Sequence, residues 1–393
     1  MTVFLFISLA MGNGQSSHCW ISEQAIQQLP EGELRELMTD QGLEIQWRNG
    51  TMFPDGGYAV GDDYGERAHW ESFQLAYLEW IQEQYSKPWS PEAKEHIAFL
   101  MGLASHGLAD QSYDSMYYRR GYRYDVTGNW DESFDTATDV AFVAQTAPQP
   151  LVDKWIPTDL FQQLYAEQGH VVDAETMQQG QTLLKVAIEW VGSISQQEDA
   201  LNEYRSDFPW GTSNQLNESV PGSPVVEVGI VAAYWQVLWA QLNNEVPPKE
   251  ILYSYPAEER YEFPIEKDNI EAELSIVFSK GIDADSLSEE MFSIQGSTGD
   301  YHPIGIDLFY GADSHVINIT PLDDWTLDDF RLTVSAELPF MDGSQLGEDW
   351  ILFFSTKEKP METVEQKRGC QSVQEIDRGM LAIVLLLYSR RRA

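Results

Sequence analysis

One apolar stretch, "LMGLASHGLADQSYDSMYY" (100–118), carries His106, Asp110 and Asp114 at four-residue steps. These are the residue types that acid–base and metal chemistry need. A helix puts positions four apart on one face, so the stretch predicts an apolar helix with a stripe of one imidazole and two carboxylates. Standing alone, such a stripe also fits a solvated face or a hydrogen-bonded core histidine. Upstream, "FPDGGYAVGDDYGERAHW" (53–70) supplies Asp55 on what reads as a glycine-rich loop, then His69 opening a helix. An acid on such a loop can bend toward that histidine. Asp55, His69, His106 and Asp110 together would make a four-ligand set of two nitrogens and two oxygens, suited to zinc. Asp62, Asp63 and Glu66 read as solvent-facing. Of the seven histidines, His18, His69 and His106 have candidate ligands beside them. His96, His170, His302 and His315 read as structural or exposed.

The elements that must position these residues are helical. From about 20 to 245, segments such as "HWESFQLAYLEWIQEQY", "AKEHIAFLMGLASHGLAD" and "VVEVGIVAAYWQVLWAQL" repeat apolar residues at three- and four-residue steps. After about 250 the period becomes two: Leu274, Ile276 and Phe278 alternate, as do Phe330, Leu332 and Val334. Short strands with turns between them, such as Asp342-Gly343, predict a β-sandwich over 260–357.

Composition bounds the rest. The apolar share of 43% and aromatic share of 12% mark a globular chain, and 393 residues allow more than one core. A net charge of −39 disfavours nucleic acid and anionic membranes at long range. With only Cys19 and Cys370, neither a disulfide framework nor a Cys-based zinc site is implied, so a metal site must use His, Asp and Glu. "VFLFISLA" followed by small residues reads as a secretory signal over 1–17, or alternatively as a buried first strand. "SSHC" lacks the residues of a lipoprotein cleavage box, so Cys19 is not read as an anchor. At the other end, Met380–Tyr388 is apolar and Arg390–Arg392 closes it. This run is short of the ~20 residues of a membrane span. It reads as a sorting or anchor tail (358–393) or as an amphipathic terminal helix.

Several of these stretches resemble known families. "SHCWISEQAI" (17–26), "NG…D" followed by "AHW", and "SHGLAD" resemble, in order, the metal-binding motifs of the zinc-dependent phospholipase C family. "FPDGGY…HW…AFLMGLASHGLAD" looks closer still to the glycosylphosphatidylinositol-specific phospholipase D catalytic-domain family. The likeness covers about 17–145 and weakens to 245. It implies a mainly α-helical metal-hydrolase domain of the phospholipase C and P1 nuclease type at 18–250. Asp55, His69, His106 and Asp110 would then hold one zinc, and His18 with a bridging Asp110 a second. Where the family holds a third metal with two histidines and a glutamate, this chain has Asp114, Asp135 and Asp139. Three carboxylates would suit Mg²⁺, Mn²⁺ or Ca²⁺. They would equally suit an empty site, or for Asp135 and Asp139 an exposed helix face. Residues 260–357 resemble bacterial Ig-like domains, which implies a spacer or adhesion module. The tail resembles MYXO-CTERM sorting segments, processed near Cys370.

The function these readings imply is a secreted or cell-surface bacterial phosphodiesterase acting on phospholipid, with two zinc ions. A bound metal would bring the pKa of a water near 7, and Asp55 would orient or deprotonate it. Phe53, Tyr58, Trp70 and Tyr113 could form a lipid-facing rim or pack in the core. The alternatives are a catalytically impaired metal-binding surface protein and, less favoured by charge, a nuclease of the same architecture. Membrane-surface contact and oligomeric state are left open.

Overall fold

The computed structural model describes residues 13–125, 133–248, 250–309 and 313–359. Most of the expected signal peptide (1–12) and the expected tail with Cys370 lie outside the described residues.

The described chain is about half helical and carries two small antiparallel sheets. The helices begin with α1 (Gln15–Gln28), α2 (Glu33–Met38), α3 (Glu44–Val60), α4 (Tyr64–His69), α5 (Glu71–Gln84) and α6 (Pro91–Ser112). A π-helical turn, Tyr113–Tyr118, continues α6 into α7 (Arg119–Tyr124). Then follow α8 (Ser133–Gln145), α9 (Thr158–Glu167), α10 (Ala174–Ile194), α11 (Glu198–Asp207), α12 (Pro209–Ser213) and α13 (Pro224–Leu242).

Helix α6 is the axis of this part. Ser90 caps it, its hydroxyl accepting from Ala93 N at 3.1 Å, and Pro91 opens its first turn without losing a needed donor. From Ile97 to Ser112 every residue is buried, the stripe of His106 and Asp110 included. It crosses α3 backbone to backbone. A Cβ on Gly102 would fall 2.1 Å from the Trp47 carbonyl oxygen, and one on Gly50 would fall 2.2 Å from that of Phe99. Around this crossing the core is aromatic. Phe73 stacks on Tyr165 at 4.4 Å, and Phe161 meets Phe53 and Tyr77 at 5.0 Å each.

The strands are β1 (Ile251–Tyr255), β2 (Leu274–Phe278), β3 (Phe292–Gly296), β4 (Ile304–Leu308), β5 (Val316–Pro321), β6 (Asp329–Val334) and β7 (Trp350–Ser355). They form one sheet in the order β1-β2-β5-β4 and another in the order β3-β6-β7. Leu274, Ile276 and Phe278 share a buried core with Phe330, Leu332 and Val334, the residues whose alternation marks these strands. The first strand begins at Ile251, ahead of the expected start at 260, and pairs antiparallel with β2.

The strand part is not a free-standing module. In the antiparallel β2–β5 register, Val277 faces Val316 and Ser275 faces Asn318, and all four are buried. Val277 and Val316 belong to the helical core. Polar contacts fix the same face. Gln111 Oε1 accepts from His315 N at 2.8 Å, Asn318 Nδ2 donates to Ser115 O at 3.2 Å, and Glu71 Oε2 accepts from Gly281 N at 2.6 Å. Arg120 Nε donates to Glu271 Oε2 at 3.0 Å. Two-residue alternation implied one face toward the sandwich core and the other toward water. Here the second face of the inner strands meets helices.

Candidate metal centre

Five side chains from four helices converge beside α6. Contrary to the loop expected for Asp55, α3 runs unbroken through Pro54 to Val60 and ends where Gly61 turns at φ +71°. The glycines after Asp55 serve close packing: a Cβ on Gly57 would fall 2.2 Å from Gly65 N, so α3 and α4 touch directly. That contact sets His69, at the end of α4, over Asp55. Gly107 lets α6 approach from the other side, since a Cβ there would fall 2.1 Å from the His69 carbonyl oxygen. Replacing Gly107 with Ala should therefore cost about 1–3 kcal/mol by overpacking. It should also weaken metal binding. Urea unfolding and metal titration of the variant check both, and wild-type values in each would contradict the packing described.

The ligand atoms of Asp55, His69, His106 and Asp110 all lie within 4.8 Å of one another, and all four residues are buried. His69 Nδ1 lies 2.7 Å from Gly65 O, and His106 Nδ1 lies 2.7 Å from Thr51 O. A carbonyl only accepts, so each Nδ1 carries the proton and each neutral ring turns the lone pair of Nε2 inward. Those two Nε2 atoms face each other at 3.0 Å. Asp110 Oδ2 lies 3.2 and 3.3 Å from them, and Asp55 Oδ1 3.5 Å from each. Two lone pairs and two carboxylates aimed at one point require a positive charge there. A divalent ion fits this donor set, two imidazole nitrogens and two carboxylate oxygens.

Asp110 spans a second position. Its Oδ1 meets His18 Nε2 at 2.9 Å, and the His18 ring stacks on His106 at 3.9 Å. The Asn13 backbone N–H donates to the same oxygen at 2.9 Å. The start of α1 is held here by Asp139, whose carboxylate accepts from Ser17 N at 3.0 Å, Ser17 Oγ at 2.9 Å and Ser16 N at 3.3 Å. Negative charge at a helix N-terminus is favourable.

Charges follow the geometry. Burial pulls the His69 imidazole down, but hydrogen bonds and charge from Asp110 and Asp55 outweigh it and raise it to about 10. The same balance raises His106 to about 9. Burial pushes Asp55 up, yet His106 and His69 bring it to about 2. His18 is lowered, by burial and then by the charge of His106. In the metal-free protein, a proton held between the facing Nε2 atoms of His69 and His106 thus supplies the positive charge. Because both are raised above 6.5, the stability they contribute is complete below that value. It is lost as pH rises through about 9 to 10. Metal-free protein should therefore lose thermal stability between pH 7 and 10, while metal-loaded protein does not. Metal must displace this proton, so its apparent affinity should rise with pH by up to about tenfold per unit. Thermal melts and metal titrations across this range check the pair, and a flat response in both would contradict the shared-charge geometry.

The other expected residues are placed differently. Asp114 is fully buried and Asp135 nearly so, but they and Asp139 form no group with ligand atoms in mutual reach among the described residues. Asp139 does the work of a helix cap instead. Phe53 and Tyr113 are not rim residues. Phe53 is wholly enclosed by Tyr64, Phe99 and Phe161, and Tyr113 stacks on Tyr117 and bonds Thr138 Oγ1 at 3.0 Å. Tyr58 and Trp70 remain partly exposed; the Tyr58 ring lies 5.2 Å from that of His69, and both side chains hydrogen-bond Glu66. Sequence reasoning missed Glu227, a wholly buried acid on α13 that accepts from Asn13 Nδ2 at 2.7 Å. Its signal was available: it is the only charged residue in a mostly apolar 19-residue helix.

A small cleft with about 30 Å³ of room opens beside Asp55 between the start of α1, α8 and α10. No protein-family model matches the chain. Part of it is similar to phosphatidylinositol-glycan-specific phospholipase D. The rat protein (Rattus norvegicus) is 30% identical over 132 residues, which is 31% of this chain and 15% of that protein. The mouse protein (Mus musculus) is 32% identical over 126 residues, 30% of this chain and 15% of its own length. The Dictyostelium discoideum protein is 28% identical over 120 residues, 30% of this chain and 13% of that one. The matches thus span about 15% of the length of these relatives. This partial similarity supports a phospholipase-like family for the matched segment. Among solved structures, the surface layer protein SbsC, domains 1–6, aligns over 88% of this chain and 45% of its own at 10% identity, with a TM-score of 0.23, too low to assign a shared fold.

Proposed function

We propose that this protein is a secreted or cell-surface metal-dependent phosphodiesterase that acts on phospholipid. The observation that carries the reading is the inward pair of Nε2 atoms, locked by Gly65 O and Thr51 O and faced by Asp55 and Asp110. The partial similarity to a phospholipase D supplies the substrate class. Asp55, His69, His106 and Asp110 would hold one zinc ion, and His18 with Asp110 a second. When bound, such ions supply Lewis acidity and bring the pKa of a water toward neutrality. The protein's own groups do the rest. Gly65 and Thr51 hold the imidazole tautomers. Asp55, at about 2, stays ionised across the working range. In the metal-loaded site, where His69 and His106 no longer carry the extra charge, Asp55 would orient or deprotonate the attacking water. Tyr58 and Trp70, partly exposed beside His69, would line the approach for the apolar part of the substrate.

A second reading, a metal-binding surface protein without catalysis, is favoured by Asp139. Its carboxylate is engaged by Ser16 and Ser17, so a third, hard ion at Asp114, Asp135 and Asp139 would have to displace the cap. The test is metal content of the purified full chain together with hydrolysis of bis(p-nitrophenyl) phosphate and of short-chain phospholipid. Metal near two equivalents with turnover of both substrates is expected. Bound metal without turnover would select the second reading, and no bound metal would overturn both.

A further inference from the structure

Helix α10 turns an apolar stripe to solvent beside the metal centre. Leu183, Val186 and Trp190 are spaced i, i+3 and i+7, which puts them on one face. Val186 is 52% exposed and Trp190 45%. Among the described residues, no other helix exposes two large apolar side chains. The core does not need this stripe, because Met177, Leu184, Ile188 and Val191 already bury the opposite face of α10. Apolar groups gathered on one exposed face mark an interaction surface. Two observations say what this one meets. The first is position. A Cβ on Gly180 would fall 2.4 Å from the carbonyl oxygen of Gly56, the residue after Asp55, so α10 lies directly against α3 there. Trp190 itself lines the small cleft beside Asp55. The second is charge. The net charge of −39 repels anionic surfaces, and the exposed stripe carries no charge to offset it. The lysines on and beside α10 are committed to the protein: Lys185 Nζ donates to Val152 O, and Lys154 Nζ donates to Thr182 Oγ1 at 3.0 Å.

We propose that this face of α10 seats the protein on a neutral, zwitterionic lipid surface, with Val186 and Trp190 entering the boundary between head groups and acyl chains. The choice of partner rests on the phospholipid reading above. A helix lying in that boundary is held by the apolar area it buries and by attraction to anionic lipid. Here only the first operates. Tryptophan suits the place, because its ring is apolar and its N–H is polar. Docking on this face brings the edge of the metal centre to the layer that contains the phosphodiester. A second copy of this chain is the competing occupant of an apolar stripe.

The test uses the full-length, metal-loaded protein and vesicles of diacylglyceryl trimethylhomoserine. This lipid is zwitterionic and has no phosphodiester, so binding reports the surface and not the metal centre. The protein should sediment with these vesicles, and Val186→Asp and Trp190→Ser should each lower the partition coefficient at least about tenfold. Both sites are half-exposed, so folding is not at stake. Adding oleate to the vesicles should weaken binding at low salt, and added salt should restore it. No binding, or equal binding by both variants, would overturn the inference; turnover of bis(p-nitrophenyl) phosphate by such a protein would leave the phosphodiesterase reading standing. Vesicle binding lost in the variants, without turnover of any phosphodiester, would uphold the surface and overturn that reading. Tighter binding as oleate is added at low salt would overturn the neutral partner in favour of an anionic one. A concentration-dependent dimer that Val186→Asp dissolves, with no vesicle binding, would overturn the inference in favour of a second copy of this chain.

Discussion

Replacing Asp110 with Asn should reduce bound metal to background and slow phosphodiester hydrolysis by more than about 100-fold. Loss of an outer-shell partner already costs metal sites 10–100-fold, and Asp110 stands inside that shell. Its two oxygens do different work. Oδ1 meets His18 Nε2 and Asn13 N, each at 2.9 Å, and Oδ2 lies within 3.3 Å of both His69 and His106. An asparagine of the same shape keeps one oxygen and puts an N–H₂ on the other side. Either way round, a donor replaces a ligand for one ion, and the bridge between the two positions is lost. Metal content by emission spectroscopy and turnover of bis(p-nitrophenyl) phosphate measure the effect. Metal and activity both within twofold of the natural protein would show that the histidine cluster is only a buried hydrogen-bond network.

How much of this centre could be read from the chain depended on sequence distance. His106 and Asp110 are one helical turn apart on an unbroken apolar helix, so their common face was legible. His69 and Asp55 were legible as types but not as placements. The glycines between them suggest a flexible loop, and only the three-dimensional packing of Gly57 on Gly65 shows that they bring two helices together. Asp139 carries the right chemistry for a ligand, and its spacing from Asp135 repeats that of His106 and Asp110. What turns it into a helix cap is the start of α1, 122 positions away. Glu227 has its partner Asn13 214 positions away. No local pattern encodes such a pair, although a lone acid in an apolar helix flags that one must exist. The strands were legible by alternation, but the nature of their second face was not. Val277 and Ser275 alternate in the same way whether that face meets water or a helix.

The second face carries the other large expectation. Deleting residues 251–359 should abolish metal binding, although the alternating segment resembles a detachable module. The helical part would lose the cover supplied by Val277 and Val316, both fully buried in its core. Fully burying a valine is worth about 1.5–3 kcal/mol, and the exposed patch would forfeit a comparable amount. Polar groups would be stranded as well. Gln111, adjacent to Asp110, loses the His315 backbone donor, and Glu71, two residues after His69, loses Gly281 N. Burial already pushes Glu71 up to about 8, and Gly281 N–H is the first of the groups that oppose that push. Arg120, itself buried, loses Glu271. Each partner lost from a buried group costs about 1–3 kcal/mol unless water replaces it. Together these losses rival the 5–15 kcal/mol by which a domain is usually stable. The two residues most directly disturbed flank the candidate ligands His69 and Asp110, so the centre should fail even where helices persist. Circular dichroism, near-ultraviolet spectra and metal content of the 13–250 fragment test this. Helical far-ultraviolet signal without fixed aromatic signal and without metal is the expected result. A fragment that unfolds cooperatively and retains the metal of the full chain would show that the strands are a passenger after all.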